Sequence, residues 1–236
     1  MGILYSSEYK INDYITVKIP TVSEILSDEE TYFDSISLLL ATPYDLLVQL
    51  DDANIDFTTI NDWDLFCYLF KEIQQKDFSM VFTDLDFKDF SIVRKKSDRE
   101  VIAVDYKTGH IIDRSVHGKI CRVIKTLLFI KKDIKRPANE EARLYLIERA
   151  RKKMGRKKKS SATNSQLENY IIALVNTPEF KYDFETVGRL SIYQFYSSLH
   201  QIADKIRFDN LMIGCYAGTV DTEKLDRDEL NWIPNK

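Results

Sequence analysis

The feature that most constrains the fold is a long helical pattern of apolar residues near the end of the chain. Between Leu190 and Tyr216, apolar side chains follow the i, i+3, i+4, i+7 spacing over two heptads; they are Ile192, Phe195, Tyr196, Leu199, Ile202, Ala203 and Ile206. This spacing puts them on one face of an α-helix, which has about 3.6 residues per turn. We therefore expect this helix to pack against a core or against a partner.

Helix signals also dominate the first third of the chain. Thr21-Val-Ser-Glu24 has the spacing of a capping box at the start of a helix. Residues 42–45 have a similar capping sequence, with proline at the first helical position. Asn61 precedes a third helical pattern of apolar residues. Residues 21–75 are therefore predicted to form a three-helix unit. Before it, residues 9–19 alternate apolar and polar side chains around an Asn-Asp turn, which predicts a small hairpin.

The middle of the chain changes character before it becomes helical again. β-forming residues broken by two turn sequences predict two short hairpins over residues 78–113. Asp113 is placed to cap a helix over about 114–131, and another helix is predicted from about Asn139. The predicted apolar face of this second helix consists of Ala142, Leu146, Ala150 and Met154. After Gly155 the lysines and serines predict a mobile loop, followed by a short helix over Gln166 to Val175.

These elements predict an α+β fold that is predominantly helical, with helical units flanking a small central β-hairpin region. Only 7 glycines and 5 prolines in 236 residues favour ordered elements over disorder. We divide the chain into an acidic N-terminal hairpin plus helical unit at 1–77, β-hairpins and basic helices at 78–160, and a helical unit with an acidic tail at 161–236. The apolar cluster at 230–234 is expected to dock onto its own domain or onto a neighbour.

Charge is distributed very unevenly along the chain. Residues 1–100 carry 9 Lys/Arg against 20 Asp/Glu, residues 101–160 carry 18 against 6, and residues 161–236 carry 7 against 11. The basic excess culminates in eight cations within residues 149–159, namely Arg149, Arg151, Lys152, Lys153, Arg156, Lys157, Lys158 and Lys159. These eight residues are the predicted site for an anionic partner.

Three interpretations of this basic segment stay open at the level of sequence. It can be a solvated surface loop, a contact for acidic protein surface, or a non-specific contact for nucleic-acid phosphates. Sequence-specific recognition is not expected, because no aromatic side chain that could stack on bases lies between the lysines. Nucleic acid is therefore a possible partner, and a membrane is not expected as one because the apolar runs are too short to span a bilayer.

No catalytic, cofactor or metal site is predicted. The sequence lacks a phosphate-binding glycine loop and the HExxH and GxSxG motifs. His117 and Cys121 share one helix face near His110 and Asp113, but we interpret them as ordinary helix surface. The aspartates of Thr83-Asp-Leu-Asp86 form a DxD pair that is expected by chance in so acidic a chain. Three widely spaced cysteines favour a reducing compartment.

Several segments together resemble a group of poorly characterised tailed-bacteriophage proteins. The segments are Lys18-Ile-Pro-Thr-Val-Ser-Glu-Ile-Leu26, Ala41-Thr-Pro-Tyr-Asp-Leu46, Gln49-Leu-Asp-Asp52, Ile55-Asp-Phe-Thr58, Tyr216-Ala-Gly218 and Leu230-Asn-Trp232. Proteins of this group are encoded among the virion-assembly genes of phages that infect Firmicutes and related gut bacteria. The resemblance implies a structural or assembly role like that of tail-assembly chaperones or baseplate-hub components, without defined functional residues.

The sequence therefore predicts a non-enzymatic phage structural or assembly protein of the tail or baseplate region. It would act through contacts between acidic and basic surfaces, which steer association. Its expected partners are other virion or assembly proteins, including a second copy of itself, in the bacterial host cytoplasm during assembly and then in the virion. The alternative is a non-specific nucleic-acid-binding accessory protein that uses residues 149–159.

Overall fold

The computed structural model describes residues 2–96, 99–131, 136–157, 165–221, 225–226 and 231–233. Within them the α-helices are α1 (Val22–Ser27), α2 (Glu29–Leu39), α3 (Leu47–Asp52), α4 (Asp62–Tyr68), α5 (Phe70–Ile73), α6 (Arg114–Leu127), α7 (Glu140–Lys157), α8 (Gln166–Val175) and α9 (Ile192–Tyr216). The strands are β1 (Glu8–Lys10), β2 (Thr16–Lys18), β3 (Phe90–Arg94), β4 (Val101–Asp105) and β5 (Ile111–Ile112). The predicted predominantly helical α+β fold is confirmed.

Two capping boxes join the beginning of the chain to its last long helix. Thr21 caps α1 together with Glu24, as the sequence predicts, and Ser191 caps α9 together with Gln194. Next to these caps, the Val22 N–H donates to the Leu190 carbonyl and the Ile192 N–H donates to the Pro20 carbonyl, both at 2.8 Å. The two helix starts therefore hold each other in place.

The region after α1 contains more and shorter helices than predicted. Five helices, α1 to α5, replace the expected three over residues 21–75. At residues 42–45 the predicted helix start is wrong: the Asp45 carboxylate accepts hydrogen bonds from the Thr42 N–H and hydroxyl, but these bonds close a turn, and α3 begins at Leu47. Asn61 does cap α4 as predicted, with its side chain accepting from two backbone N–H groups.

Both predicted hairpin regions form antiparallel strands. The first pairs β1 with β2 in the register Tyr9↔Val17. In the second, β4 lies between β3 and β5, so the two predicted hairpins share their middle strand in one three-stranded sheet. Gly109 has a φ of 76° in the turn between β4 and β5, a conformation that suits glycine.

Apolar residues from all three predicted segments pack in one main core. Phe87 lies at its aromatic centre, in contact with the rings of Phe66, Phe70, Phe78, Phe82 and Phe90. The same cluster includes Ile15 from the first hairpin, Ile120 from α6 and Phe195 from α9. The segment boundaries at 77/78 and 160/161 stay predictions about how the chain is organised.

Helix α6 is capped by Asp113 as predicted but ends at Leu127, four residues earlier than expected. Phe129 follows it with a φ of 53°, a left-handed conformation usually taken by glycine at a helix end. There the Ile130 N–H donates to the Lys125 carbonyl and closes the helix terminus. The ring of Phe129 stacks on Tyr193 and His200 of α9, so contact between helices compensates for the strained backbone.

The last three helices follow the predicted order with one difference in length. Helix α7 continues through Gly155 to Lys157, so the loop predicted to start after Gly155 is wrong for the next two residues. Helix α8 has the predicted bounds, and the long helix α9 is confirmed. Of its predicted apolar face, Ile192 and Phe195 are buried, whereas Ala203 and Ile206 are exposed, so packing involves the first half of the helix. Of the predicted apolar tail cluster, the Trp232 carbonyl accepts a hydrogen bond from the Gln201 side chain at 2.8 Å, so this part of the tail contacts its own chain.

Candidate functional site

The basic helix α7 is attached to the acidic N-terminal region by an apolar contact. Asn139 caps the helix by accepting the Ala142 N–H at 2.8 Å, and the helix begins close to the predicted position. Among the described side chains of α7, Ile147 is the most buried; it is 4% exposed and packs in a second apolar cluster with Leu50, Phe57 and Leu65. The predicted apolar face is partly wrong: Met154 is exposed, and Ile147, which was not predicted, anchors the helix.

Ion pairs reinforce this attachment between α7 and the acidic region. The Nη2 atom of Arg151 lies 2.7 Å from the carboxylate of Asp51 and 2.5 Å from that of Asp52. These two aspartates are the last residues of α3. Arg143 binds Glu140 through two hydrogen bonds and lies 3.9 Å from Asp56. Hydrogen bonds to the two aspartates raise the pKa of Arg151. Part of the acidic and basic complementarity seen in the sequence is thus satisfied within one chain.

The eight predicted basic residues differ in their surroundings. Arg151 and Lys152 have partners in the chain, since Lys152 lies 2.7 Å from Glu148. Arg149 and Lys153 are exposed and form no ion pair with the described residues. Arg156 and Lys157 extend the same helix, while Lys158 and Lys159 lie outside the described residues. Arg149 and Lys153 are four residues apart and therefore occupy one outward face of α7.

His117 is buried, so its interpretation as helix surface is wrong. The imidazole is 4% exposed and lies against the rings of Trp63 and Phe66. Burial lowers its pKa from 6.5 to about 4, and the Lys125 cation lowers it further, while a hydrogen bond with the Leu39 carbonyl acts in the opposite direction. Its Nε2 lies 3.4 Å from the Cys121 sulfur. The pair belongs to the packing between α4 and α6.

A cleft of about 910 Å³ opens beside this pair, between α6 and the segment that leads into α4. Among the described residues, five cations line it against one carboxylate, that of Asp62; the cations are Arg114, Arg122, Lys125, Lys131 and Arg136. Its apolar lining includes Tyr44, Trp63 and Phe129. We call this the basic cleft. Such a concentration of one charge sign in a concave surface attracts anions.

A second cleft, of about 900 Å³, has the opposite charge. Its lining includes four carboxylates, those of Glu29, Glu30, Asp34 and Asp45, together with the rings of Phe33, Tyr170, Tyr196 and His200. We call this the acidic cleft. Ile130 lines both clefts, so the segment after α6 separates them. The chain therefore presents a basic and an acidic concave surface close to each other.

The histidine and aspartate motifs considered in the sequence make contacts typical of packing and turns. His110 stacks on Tyr14, and Asp86 accepts the Lys88 N–H at the start of a short 3₁₀ turn. Among the described residues, no group of three or more His, Cys, Asp or Glu side chains is arranged to hold a metal ion. None of the helices in the described ranges is both long and apolar enough to cross a membrane.

Comparison with known proteins relates the end of the chain to one family. A family model described as the YomV second domain matches residues 156–235. This family is phage-derived, and the match suggests a phage protein. The matched range contains α8 and α9. No curated protein and no solved structure matches the chain.

The sequence did not reveal the basic cleft, although part of its signal was present. Arg114, Arg122 and Lys125 stand at the spacing i, i+8, i+11, which places them on one face of α6. That spacing could have been found from the helix prediction. The opposite wall comes from residues around 57–63, and only the packing of α4 on α6 brings the two together.

Proposed function

We propose that this chain is a non-enzymatic structural or assembly protein of a tailed bacteriophage, acting in the tail or baseplate region. The observation that supports it most is the match of residues 156–235 to a phage-derived family. The resemblance of several other segments to virion-assembly proteins points the same way. In this proposal the protein binds other virion or assembly proteins in the host cytoplasm and can remain in the virion.

The distribution of charge supports a mode of action through protein contacts. Arg149 and Lys153 leave a cationic face on α7 after Arg151 and Lys152 have paired within the chain. The acidic cleft supplies a surface of opposite sign. Charge complementarity of this kind steers association and disfavours complexes with partners of like charge. A second copy of the chain carries surfaces of both charge signs. It is therefore a suitable partner, and so is another virion protein.

The second candidate function is non-specific nucleic-acid binding by residues 149–159. The observation that favours it is the same outward face of α7, together with the lysines that end the basic segment in the sequence. Phosphate binding by such a face would weaken steeply with salt. A protein contact through the same face would also weaken with salt, so salt dependence by itself does not separate the two functions.

Deletion of the gene from the phage or prophage that carries it tests the proposed function. We expect lysates of the deletion strain to contain filled heads but no complete tails when viewed by electron microscopy, and the wild-type gene supplied in trans should restore infectious particles. Complete, infectious particles from the deletion strain would refute the proposal. A deletion strain that fails to replicate its DNA would instead favour the nucleic-acid function.

Complementation with charge variants then tests the cationic face. Arg149→Glu combined with Lys153→Glu should restore few particles, whereas Lys71→Glu combined with Arg189→Glu should restore them as the wild type does. The control pair is also exposed and without ion pairs among the described residues, and it changes the net charge equally. Light scattering after size exclusion should give both purified variants a folded, monodisperse peak. Equal complementation by the two variants would contradict a role for the α7 face.

A further inference from the structure

We propose that the basic cleft binds the phosphates of a single-stranded nucleic acid along helix α6. This site is separate from residues 149–159, and the inference goes beyond the proposed function. It rests on three features of the cleft: a row of cations along one helix, an open path over a glycine, and a strained residue at the end of the row.

The cations on α6 form a row with little internal neutralisation. Arg114, Arg122 and Lys125 lie on one helix face over 11 residues, a length of about 16 Å at the rise of an α-helix. Arg114 forms an ion pair with Asp64 at 3.9 Å, whereas among the described residues neither Arg122 nor Lys125 forms one. A row of this length suits successive phosphates of one strand better than a single isolated anion.

Gly118 provides a path for a strand to approach the helix. It stands four residues after Arg114 and four before Arg122, so it lies in the same row. A Cβ added to Gly118 would meet no atom within 4 Å, so packing within the described chain does not require a glycine here. Glycine inside a helix is unfavourable, and one reason for it is the close approach of a ligand to the backbone.

The end of the row shows two further features of a binding site. Phe129 lines the cleft with a φ of 53°, and strained residues of this kind concentrate at binding and catalytic sites. Tyr44 lines the same cleft, and its buried hydroxyl has no hydrogen-bond partner among the described residues. The buried rings of Trp63 and Phe57 cannot serve as stacking surfaces, so we assign recognition to phosphates rather than to bases.

Fluorescence anisotropy with a fluorescein-labelled poly(dT) strand of about 20 nucleotides tests the inference. The full-length protein should bind the strand, and Arg122→Gln combined with Lys125→Gln should lower the affinity roughly tenfold at about 50 mM NaCl. The same variant should reduce the slope of log K against log salt by about 1.4, since each lost contact to a single strand contributes about 0.7.

The matched control removes two exposed charges from α7 instead. Arg149→Gln combined with Lys153→Gln changes the net charge by the same amount and should leave affinity and salt slope close to those of the wild type. Gly118→Ala should lower affinity because its methyl group narrows the approach of the strand to the helix, and Gly118→Glu should lower it further because it puts a carboxylate in the row. Circular dichroism should show the wild-type helix content in all four variants, which separates lost binding from lost folding.

Three results would overturn the inference. The first is absence of strand binding by the wild type at low salt. The second is loss of binding in the α7 variant with retention in the α6 variant, which would move the site to residues 149–159. The third is displacement of the strand by poly-L-glutamate at an equal concentration of charge, which would make the basic cleft a receptor for acidic protein surface. None of these results bears on the gene-deletion test of the proposed function.

Discussion

The buried imidazole of His117 should make the stability of the protein depend on pH. In the unfolded chain this group has its ordinary pKa of 6.5, whereas burial against Trp63 and Phe66 lowers the folded value to about 4. Between about pH 4 and pH 6.5, His117 is protonated in the unfolded chain but not in the folded chain. The contribution of His117 is therefore fully present above about pH 6.5 and is lost progressively as the pH falls towards 4.

The size of this effect follows from the two pKa values. A difference of about 2.5 units corresponds to about 3 kcal/mol in total, at about 1.4 kcal/mol per unit. About 2 kcal/mol of this should already be lost between pH 7 and pH 5. That is a large part of the 5–15 kcal/mol by which typical domains are stable, so the loss should be easy to measure.

Urea denaturation at several pH values, followed by tryptophan fluorescence, measures the effect, because Trp63 lies 5.5 Å from the imidazole ring. His117→Gln keeps a donor for the Leu39 carbonyl and removes the titration. Between pH 7 and pH 5 the wild type should lose about 2 kcal/mol more stability than this variant. His200→Gln, which changes an exposed histidine, should keep the wild-type pH dependence. Equal pH dependence in the wild type and His117→Gln would refute the argument.

Three further predictions concern stability near the candidate sites. A double-mutant cycle between Arg151 and Asp51 should give a small favourable coupling that falls with salt, because both side chains are partly solvated; a coupling unaffected by salt would contradict the ion pair. Gly118→Ala should raise stability by about 0.5–1 kcal/mol in urea unfolding, since the methyl group enters open space in a helix, and a loss of stability would show that the space is filled. Phe195→Ala should cost about 3–5 kcal/mol in the same assay, because the ring is 0% exposed in the main core; a cost below about 1 kcal/mol would refute this burial.

Local signals in the sequence predicted many element boundaries correctly. The capping residues Thr21, Asn61 and Asp113 start helices where expected, and α8 has its predicted bounds. Such signals work because a cap satisfies backbone N–H groups within its own first turn and needs no distant partner. The exception is residues 42–45, where the same hydrogen-bond pattern closes a turn instead of starting a helix.

The candidate sites were predictable only in part, because they depend on pairs of elements. The basic segment was visible in the sequence, yet nothing there indicated that Arg151 binds the aspartates at the end of α3, about 100 residues away. His117 was assigned to the surface because helical spacing does not reveal how wide the buried face is. Its neighbours Trp63 and Phe66 come from another helix.

By itself the sequence determined the helical α+β class, the order of most elements and the uneven distribution of charge. These properties depend on hydrogen bonds and side-chain periods within one turn or one hairpin, so neighbouring residues are enough to specify them. The tertiary structure alone decided which charges are paired, which histidine is buried and where the two clefts open. Each of these depends on which elements pack together, and packing brings into contact side chains that are far apart along the chain.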